Sequence, residues 1–329
     1  MKQVSWGILG TARIATEHVI PAMQRGKRTR VAAIASRSAE KAGLTARKHH
    51  IPRAYGSYDD LLADRSIDAV YIPLPNHMHV PWTIRCLEAG KHVLCEKPIG
   101  LNAGEAERLA KTAAKYPDLK VMEAFMYRLH PQWQKTRQLV NDGAIGHLKT
   151  IQSFFSFYND DPENIRNIQK TGGGAMLDIG CYCVSLSRFI FDAEPERILG
   201  IVDYDPVMHV DRMASGILDF GSGTSTFTCG IRLAPFQRVH ITGTAGRIDI
   251  EIPFNMPADR PAGLVLQTAA GTGKIKIRPC NQYAVQADLF SGAILNHGPV
   301  PVPLDDAAAN MKAVDAVIQS SKKTDWIKL

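Results

Sequence analysis

Cysteine is scarce in this sequence, and the cysteines present form no pattern typical of a disulfide scaffold or a metal site. The chain of 329 residues contains six, and no two stand in a Cys-x-x-C spacing. Small secreted domains that depend on disulfides are far richer in cysteine. His77 and His79 are close in sequence, but no third ligand follows at a spacing typical of zinc sites. We therefore expect free thiols, a cytoplasmic protein and no bound metal.

Long apolar runs and dense basic segments are also absent. No stretch approaches the roughly 18 apolar residues of a membrane-spanning helix, and no basic segment followed by an apolar one opens the chain. Lysine and arginine number 39 against 32 aspartate and glutamate, a net charge of +7, and no five basic residues are consecutive. The sequence therefore predicts neither membrane insertion nor nucleic-acid binding, while a weak positive field still suits a small anionic ligand.

Residues 1–125 alternate short apolar runs with amphipathic segments. Residues 4–9 are apolar on both faces, which is typical of a strand in a parallel sheet covered by helices on both sides. Ser57 and Asn102 stand where helix N-caps are expected, each three residues before an acidic side chain. The alternation of strands and helices predicts an α/β fold with a doubly wound parallel sheet, a dinucleotide-binding Rossmann domain, over residues 1–125.

Residues 126–329 follow a different pattern. Two helical segments are followed by many strand-like runs separated by turn residues, such as 221–223 and 244–246. This pattern predicts an α+β domain for substrate binding and oligomerisation, built on a large and mostly antiparallel sheet. A wide sheet needs its outer face covered, so we expect a homodimer formed through that face.

A glycine turn closes the first predicted strand and opens the first predicted helix. It is close to the dinucleotide fingerprint, with one spacing altered and Ala12 where the last glycine often stands. Glycine lets the backbone approach a pyrophosphate, which the free N–H groups of the helix N-terminus then bind. The alternative is an ordinary strand-to-helix turn. The candidate cofactor-binding residues here are Gly7, Gly10, Thr11, Ala12, Arg13 and Ile14.

The second predicted strand ends in Ser36-Arg37-Ser38, with Lys41 one helical turn further on. A site that prefers NAD usually carries an acidic residue here, which accepts a hydrogen bond from the ribose 2′-hydroxyl. An arginine with two hydroxyls suits a 2′-phosphate instead. The segment therefore predicts NADP as cofactor, with NAD as the alternative. A solvated Arg37 beside a helix-capping Ser38 would have the same sequence.

Two further segments each follow a predicted strand. The first is Leu74-Pro75-Asn76 with His79 shortly after it, and the second is Glu96-Lys97-Pro98. Both stand at the carboxyl ends of parallel strands, where open α/β sheets bind their ligands. We therefore expect Leu74, Pro75, Asn76, His79, Glu96 and Lys97 to contact the cofactor, and His79 to anchor its turn.

A triple glycine, Gly172-Gly173-Gly174, precedes a predicted helix on which Asp178 and Tyr182 share one side. The glycine turn, the Pro-Asn-x-x-His segment, the Glu-Lys-Pro segment and this triple glycine follow one another in a set order. In that order they resemble the glucose–fructose oxidoreductase / inositol dehydrogenase (Gfo/Idh/MocA) family over essentially the whole chain. The resemblance implies hydride transfer to or from a nicotinamide cofactor.

The resemblance also implies three catalytic residues, Lys97, Asp178 and Tyr182. It implies that Lys97 reaches the substrate hydroxyl beside the nicotinamide. Members similar to inositol dehydrogenase carry histidine where this sequence has Tyr182. That departure favours the branch that resembles glucose–fructose oxidoreductase, dimeric dihydrodiol dehydrogenases and NADP-dependent D-xylose dehydrogenases, and it argues against inositol as substrate.

The sequence thus predicts an NADP-dependent oxidoreductase acting on C1 of a sugar such as D-xylose or D-glucose, or on a vicinal diol. A trans-dihydrodiol dehydrogenase, another polyol dehydrogenase and a non-catalytic NADP(H)-binding sensor are the alternatives. Relatives that never release their cofactor carry a long N-terminal arm, whereas three residues precede the first predicted strand here, so we expect an exchangeable cofactor. The sugar, the direction and the choice between Lys97 and Tyr182 as the base stay open at this stage.

Overall fold

The computed structural model describes residues 2–329 and divides the chain into two compact units. The first unit contains the residues up to Met126 together with Asn281–Ala308, and the second contains Tyr127–Cys280 and Ala309–Leu329. The sequence pattern predicts one second domain over the whole of residues 126–329. The segment Asn281–Ala308 therefore differs from that prediction, because it packs with the first unit.

The first unit is built on a sheet of six parallel strands in the order β3-β2-β1-β4-β5-β6. The strands are β1 (Val4–Leu9), β2 (Thr29–Ala35), β3 (Arg53–Tyr55), β4 (Ala69–Ile72), β5 (His92–Cys95) and β6 (Val121–Glu123). The strand order reverses between β1 and β4, and ligands bind at such a switch point in open α/β sheets. The predicted doubly wound sheet is confirmed.

The helices of the first unit follow its strands in alternation. They are α1 (Ile20–Gln24), α2 (Ala39–Lys48), α3 (Tyr58–Ala63), α4 (His79–Glu88) and α5 (Ala103–Ala113), with a π-helical turn at Ile14–Val19 leading into α1 and a 3-10 turn at Asn76–Met78 leading into α4. Ser57 caps α3 by accepting from the Asp60 N–H at 3.1 Å, and Asn102 caps α5 by accepting from the Glu105 N–H at 2.9 Å. Both predicted N-caps are confirmed, because each uses a partner three residues away.

The second unit is built on nine strands in the order β14-β13-β12-β11-β7-β10-β9-β8-β15. The strands are β7 (Leu148–Tyr158), β8 (Arg197–Tyr204), β9 (Asp211–Asp219), β10 (Thr224–Gly230), β11 (Arg232–Gly243), β12 (Gly246–Ile250), β13 (Ala262–Thr268), β14 (Gly271–Ile277) and β15 (Ile327–Lys328). Neighbouring strands are antiparallel except β7 and β10, which are parallel. The predicted large and mostly antiparallel sheet is confirmed.

Two helices pack with this sheet ahead of most of its strands, α6 (Pro131–Asn141) and α7 (Cys181–Phe191). A π-helical turn at Met176–Gly180 leads into α7, and 3-10 turns lie at Met126–Leu129, Ile165–Asn167 and Gln169–Thr171. Within residues 2–329, the helical segment Gln169–Phe191 alone is long and apolar enough to cross a membrane, and 89% of its most apolar window is buried inside the protein. Core helices of globular proteins have the same length and composition, so this segment is a weak indication of a membrane span.

Two helices lie near the end of the chain, α8 (Gln282–Leu295) and α9 (Leu304–Lys323), and β15 follows them. Helix α8 packs on the first unit: the Trp6 indole N–H donates to Ser291 Oγ at 3.1 Å, and the Trp6 and Phe290 rings are 5.7 Å apart. The Asp288 carboxylate accepts from the N–H groups of Lys27 and Arg28, at 3.1 and 2.9 Å. Burial of two large rings and these bonds at the start of β2 explain why α8 belongs to the first unit.

Candidate functional site

The glycine turn after β1 has the backbone that a dinucleotide site requires. Gly10 has φ +98°, and its N–H donates to the Ala35 carbonyl oxygen at 2.8 Å. A Cβ at Gly10 would lie 3.1 Å from Leu74 Cδ2, so a side chain would crowd the turn that leads to the first helix. Thr11 and Ala12 directly precede that helix, whose first N–H groups have no intrahelical partner. The turn therefore fits a bound pyrophosphate.

The surroundings of three other residues of this turn are explained by contacts within the protein. Gly7 lies inside β1, where a Cβ would come within 2.6 Å of Leu61 Cδ2, so packing against α3 explains glycine at this position. Arg13 is exposed and its Nε lies 3.0 Å from the Glu17 carboxylate, while Ile14 is half-buried. Contact of Gly7, Arg13 and Ile14 with a cofactor stays a prediction.

The tip of β2 combines a helix cap with an exposed cation. Ser38 Oγ accepts from the Lys41 N–H at 3.2 Å and so caps α2, and the buried Ser36 Oγ accepts from the Ser38 N–H at 3.3 Å. Arg37 is exposed and interacts with the Tyr58 hydroxyl; burial raises the pKa of Tyr58 and Arg37 opposes that rise. Arg37 and Lys41 thus place positive charge beside two hydroxyls, a set that suits a phosphate.

His79 lies between the two segments of the first unit that are predicted to contact the cofactor. Its ring is buried, with Nε2 2.7 Å from the Leu74 carbonyl oxygen and Nδ1 2.7 Å from the Pro98 carbonyl oxygen. Burial lowers the pKa of His79 to about 4, although both carbonyls favour the charged ring. A neutral ring donates to one of these oxygens. The His79 ring therefore lies between the Leu74 turn and the peptide that follows Lys97, and is hydrogen-bonded to one of them.

Two residues that no sequence motif indicates, Tyr71 and Glu123, hold the Lys97 turn from other sides. The Tyr71 hydroxyl donates to Glu96 Oε1 at 2.6 Å, and Glu123 Oε1 accepts from the Ile99 N–H at 2.6 Å. Burial and the Glu96 charge raise the pKa of Tyr71. The Lys97–Pro98 peptide bond is cis. Glu123 is the last residue of β6. The expectation that ligand-binding residues lie at the carboxyl ends of parallel strands therefore applies to Glu123 as well as to Lys97.

In the second unit, Tyr182 lies on α7 within a cluster of aromatic rings. Its ring centroid is 5.7 Å from that of Tyr127, 5.8 Å from Phe155 and 5.3 Å from Phe254. One turn earlier, Asp178 Oδ2 accepts from Arg166 Nε at 2.7 Å. The Asp178 carboxylate is the main cause that raises the pKa of Arg166, and Tyr182 raises it by a smaller amount. The three side chains therefore interact electrostatically. No motif in the sequence indicates Arg166.

The triple glycine is required by two close approaches. Gly174 has φ +119°, and a Cβ there would lie 1.8 Å from Asp211 Oδ1. A Cβ at Gly173 would lie 2.5 Å from the Arg166 carbonyl oxygen. Asp211, at the start of β9, uses its Oδ2 to accept from the Met176 N–H at 2.6 Å. Asp211 therefore binds the start of the helical segment that carries Asp178 and Tyr182.

Two family models match large parts of this chain. Residues 4–125 match the oxidoreductase family with the NAD-binding Rossmann fold, and residues 133–249 match the GFO/IDH/MocA C-terminal domain. The chain belongs to the GFO/IDH/MocA oxidoreductase family. The predicted family, fold class and oxidoreductase activity are thereby confirmed.

Relatives of this GFO/IDH/MocA member match it along nearly its whole length. An uncharacterised oxidoreductase of Rhizobium meliloti is 42% identical over 332 residues, covering 99% of both chains. D-xylose 1-dehydrogenase (NADP(+)) 2 of Haloferax volcanii is 35% identical, covering 98% of this chain and 99% of the relative. The crystal structure of a 3-ketoreductase from Actinomadura kijaniata in complex with NADP and TDP-benzene has a TM-score of 0.91 at 28% identity, covering 97% of this chain and 98% of that one.

Asp211 is a buried carboxyl group, and its burial changes its pKa. Burial raises its pKa to about 7, against the bond from the Met176 N–H. The folded pKa thus exceeds the unfolded value of about 3.9, so this group's contribution to stability is complete below pH 4 and is lost as the pH rises through 7.

We therefore expect Asp211→Asn, which keeps an acceptor and does not titrate, to flatten the fall in stability between pH 5 and pH 8. The difference from the unmodified protein is on the order of 3 kcal/mol across that range. Urea unfolding at pH 5, 6, 7 and 8 measures it. Parallel pH dependences for the two proteins would show that Asp211 is ionised throughout.

Proposed function

We propose that this protein is an NADP-dependent dehydrogenase that oxidises C1 of an aldopyranose such as D-xylose or D-glucose. The observation that carries the proposal is the grouping of the Tyr182 phenol with the Asp178 carboxylate on one helical segment. A polyol needs an acid–base group for the reacting hydroxyl and an acceptor for a neighbouring hydroxyl. The likeness to a D-xylose dehydrogenase that uses NADP supports the same substrate class.

The residues of the first unit suit the cofactor that the proposal requires. Gly10, Thr11 and Ala12 would hold the pyrophosphate, Pro75 and Asn76 would line the nicotinamide side, and Arg37 with Lys41 would hold a 2′-phosphate. When bound, the nicotinamide accepts a hydride at C4. The likeness to a ketoreductase crystallised with NADP supports this assignment.

The proposed reaction removes a hydride from C1 and a proton from the C1 hydroxyl, which leaves the C1=O double bond of a lactone. Tyr182 takes the proton. A free tyrosine has a pKa of about 10, so cations must stabilise its phenolate. Lys97 supplies that positive charge in this proposal. Lys97 and Tyr182 act as a coupled acid–base pair.

Arg37 decides the cofactor in this proposal. A charge-assisted contact with a phosphate contributes about 1.5–3 kcal/mol, so NADP should exceed NAD in kcat/KM by roughly tenfold or more. Arg37→Asp should erase or invert that preference. Arg108→Asp makes the same charge change at an exposed position of α5 and serves as the control. Initial rates with both cofactors test this, and equal use of NADP and NAD by the unmodified protein contradicts it.

The substrate panel separates the proposal from its alternatives. Initial rates are measured with D-xylose, D-glucose, myo-inositol and a trans-dihydrodiol at one NADP concentration. Faster oxidation of myo-inositol than of any aldose contradicts the assigned branch. Turnover of the dihydrodiol alone supports the diol dehydrogenase instead. NADPH binding without turnover of any substrate supports the sensor.

We also propose that the enzyme is a cytoplasmic homodimer formed through the nine-stranded sheet. The register of the strands places Ile201, Ser215, Thr228, Phe154 and Arg238 in one cross-strand row. Ile201 is 71% exposed, and Phe236 beside this row is also exposed. Covering such apolar side chains would stabilise a dimer. Six free thiols fit a reducing compartment. Light scattering of Ile201→Asp, expected to be monomeric, tests the interface.

A further inference from the structure

Arg166 is held in place by its own backbone. Its N–H donates to Asn164 Oδ1 at 3.1 Å, and its carbonyl oxygen accepts from the Gly174 N–H at 2.8 Å. The second bond depends on Gly173, since a Cβ there would displace that carbonyl. The loop before α7 thus fixes the start of the Arg166 side chain, which reduces the entropy lost when the guanidinium binds a partner.

Only part of the hydrogen-bonding capacity of the Arg166 guanidinium is taken up within residues 2–329. Its Nε donates to Asp178 Oδ2 at 2.7 Å, and its side chain remains 40% exposed. Neither Nη group of Arg166 has a hydrogen bond to residues 2–329. A guanidinium carries five N–H donors in a planar fork, so an edge of this one is open to an acceptor from outside the protein.

The side chains of Arg166 and Asp178 therefore offer a donor and an acceptor next to each other. A carboxylate has about four lone-pair sites, so Asp178 can accept a hydrogen from a substrate hydroxyl in addition to its bond from Arg166. A hydroxyl group is neutral and both donates and accepts hydrogen bonds, as this pair requires. A hydrogen atom at the same place on the substrate would satisfy neither side chain.

We propose that Arg166 is a specificity-determining residue, which binds the oxygen of the substrate hydroxyl next to the oxidised carbon while Asp178 accepts its hydrogen. This inference rests on the proposed dehydrogenase function and adds Arg166 to it. A pair that binds one hydroxyl predicts a preference for sugars and vicinal diols over simple alcohols, because lost bonds to charged groups are costly.

The test compares Arg166→Gln with the unmodified protein on D-glucose and on 2-deoxy-D-glucose. We expect the variant to lose at least about tenfold in kcat/KM on D-glucose, and less than about threefold on 2-deoxy-D-glucose, which has no hydroxyl for Arg166 to bind. Arg212→Gln is the matched control, since Arg212 Nε lies 2.7 Å from Asp203 and its side chain is also 40% exposed. That control should change neither rate by more than about twofold.

Folding and cofactor binding are followed separately from activity. NADPH fluorescence titration and the melting temperature report the state of each variant, and if Arg166→Gln does not fold, Arg166→Lys replaces it. Lysine keeps the charge but lacks the fork, so the same comparison applies. If the diol alone turns over, the diol and its matching mono-alcohol replace the two sugars.

The outcomes separate the two claims. Equal losses on both substrates overturn the role of Arg166 and leave the dehydrogenase function standing. A larger loss on the hydroxylated substrate supports that role. No turnover of any aldose or diol by the unmodified protein overturns the proposed function and this inference with it.

Discussion

Tyr182→Phe is expected to lower kcat for aldose oxidation by about a hundredfold or more, the range for loss of a general acid–base group. The change removes one hydroxyl and leaves the ring among Tyr127, Phe155 and Phe254, so the packing of the cluster is kept. Lys97→Met should have an effect of similar size. The double variant should be little worse than the worse single variant, because groups that act as a unit are not additive.

Tyr127→Phe provides a matched comparison within the same cluster. The Tyr127 hydroxyl donates to Ser185 Oγ at 2.9 Å, so its loss should cost about 1 kcal/mol of stability and less than about threefold in kcat. NADPH affinity should change less in Tyr182→Phe than in Lys97→Met. Steady-state rates and NADPH titrations of the four variants decide the matter. Full activity in Tyr182→Phe would mean that this residue is only a packed core tyrosine.

Gly174→Ala is expected to lower kcat/KM by about a hundredfold or more, since displacing a catalytic helix by about 1 Å has such an effect. A Cβ at Gly174 would lie 1.8 Å from Asp211 Oδ1, so either the loop or the carboxylate must move. The bond from the Met176 N–H to Asp211 is then lost, at about 1–3 kcal/mol for a buried group. NADPH binding, assigned to the first unit, should persist.

Gly271→Ala separates backbone strain from this close approach. Gly271 has a similar φ of +125°, but a Cβ there would meet nothing within 4 Å. The two variants thus share the strain of a positive φ, about 1–3 kcal/mol, and differ in the clash. We expect Gly271→Ala to keep its activity while its melting temperature falls. Similar losses of activity in both would attribute the effect to φ alone.

The sequence was sufficient for features whose cause is local. The caps of Ser57 and Asn102 bind N–H groups three residues away, and the backbone of Gly10 follows from its place between β1 and the first helix. The carboxyl end of β5 located Lys97 by the same reasoning. Each of these predictions depends on a short window of residues, in which residue type and spacing determine the conformation.

Features with distant partners were not predictable from that window. Asp211 binds Met176 across 35 positions of sequence, and Trp6 binds Ser291 across 285. Arg166 is closer to Asp178, but the loop between them shows no periodicity that reveals the pair. Tertiary contacts of this kind determine which charged residues meet in the interior, and one sequence without its fold does not reveal them.

The placement of α8 has a consequence for the order in which the protein folds during synthesis. Strands β1 to β6 leave the ribosome first, but Asp288, Phe290 and Ser291, which cover Trp6 and the start of β2, come about 160 residues after β6. At roughly 5–20 residues per second, the nascent first unit waits about 10–30 s for these partners. During that time part of its apolar surface stays open to water. We therefore expect the first unit to depend on chaperones while the second half of the chain is being made.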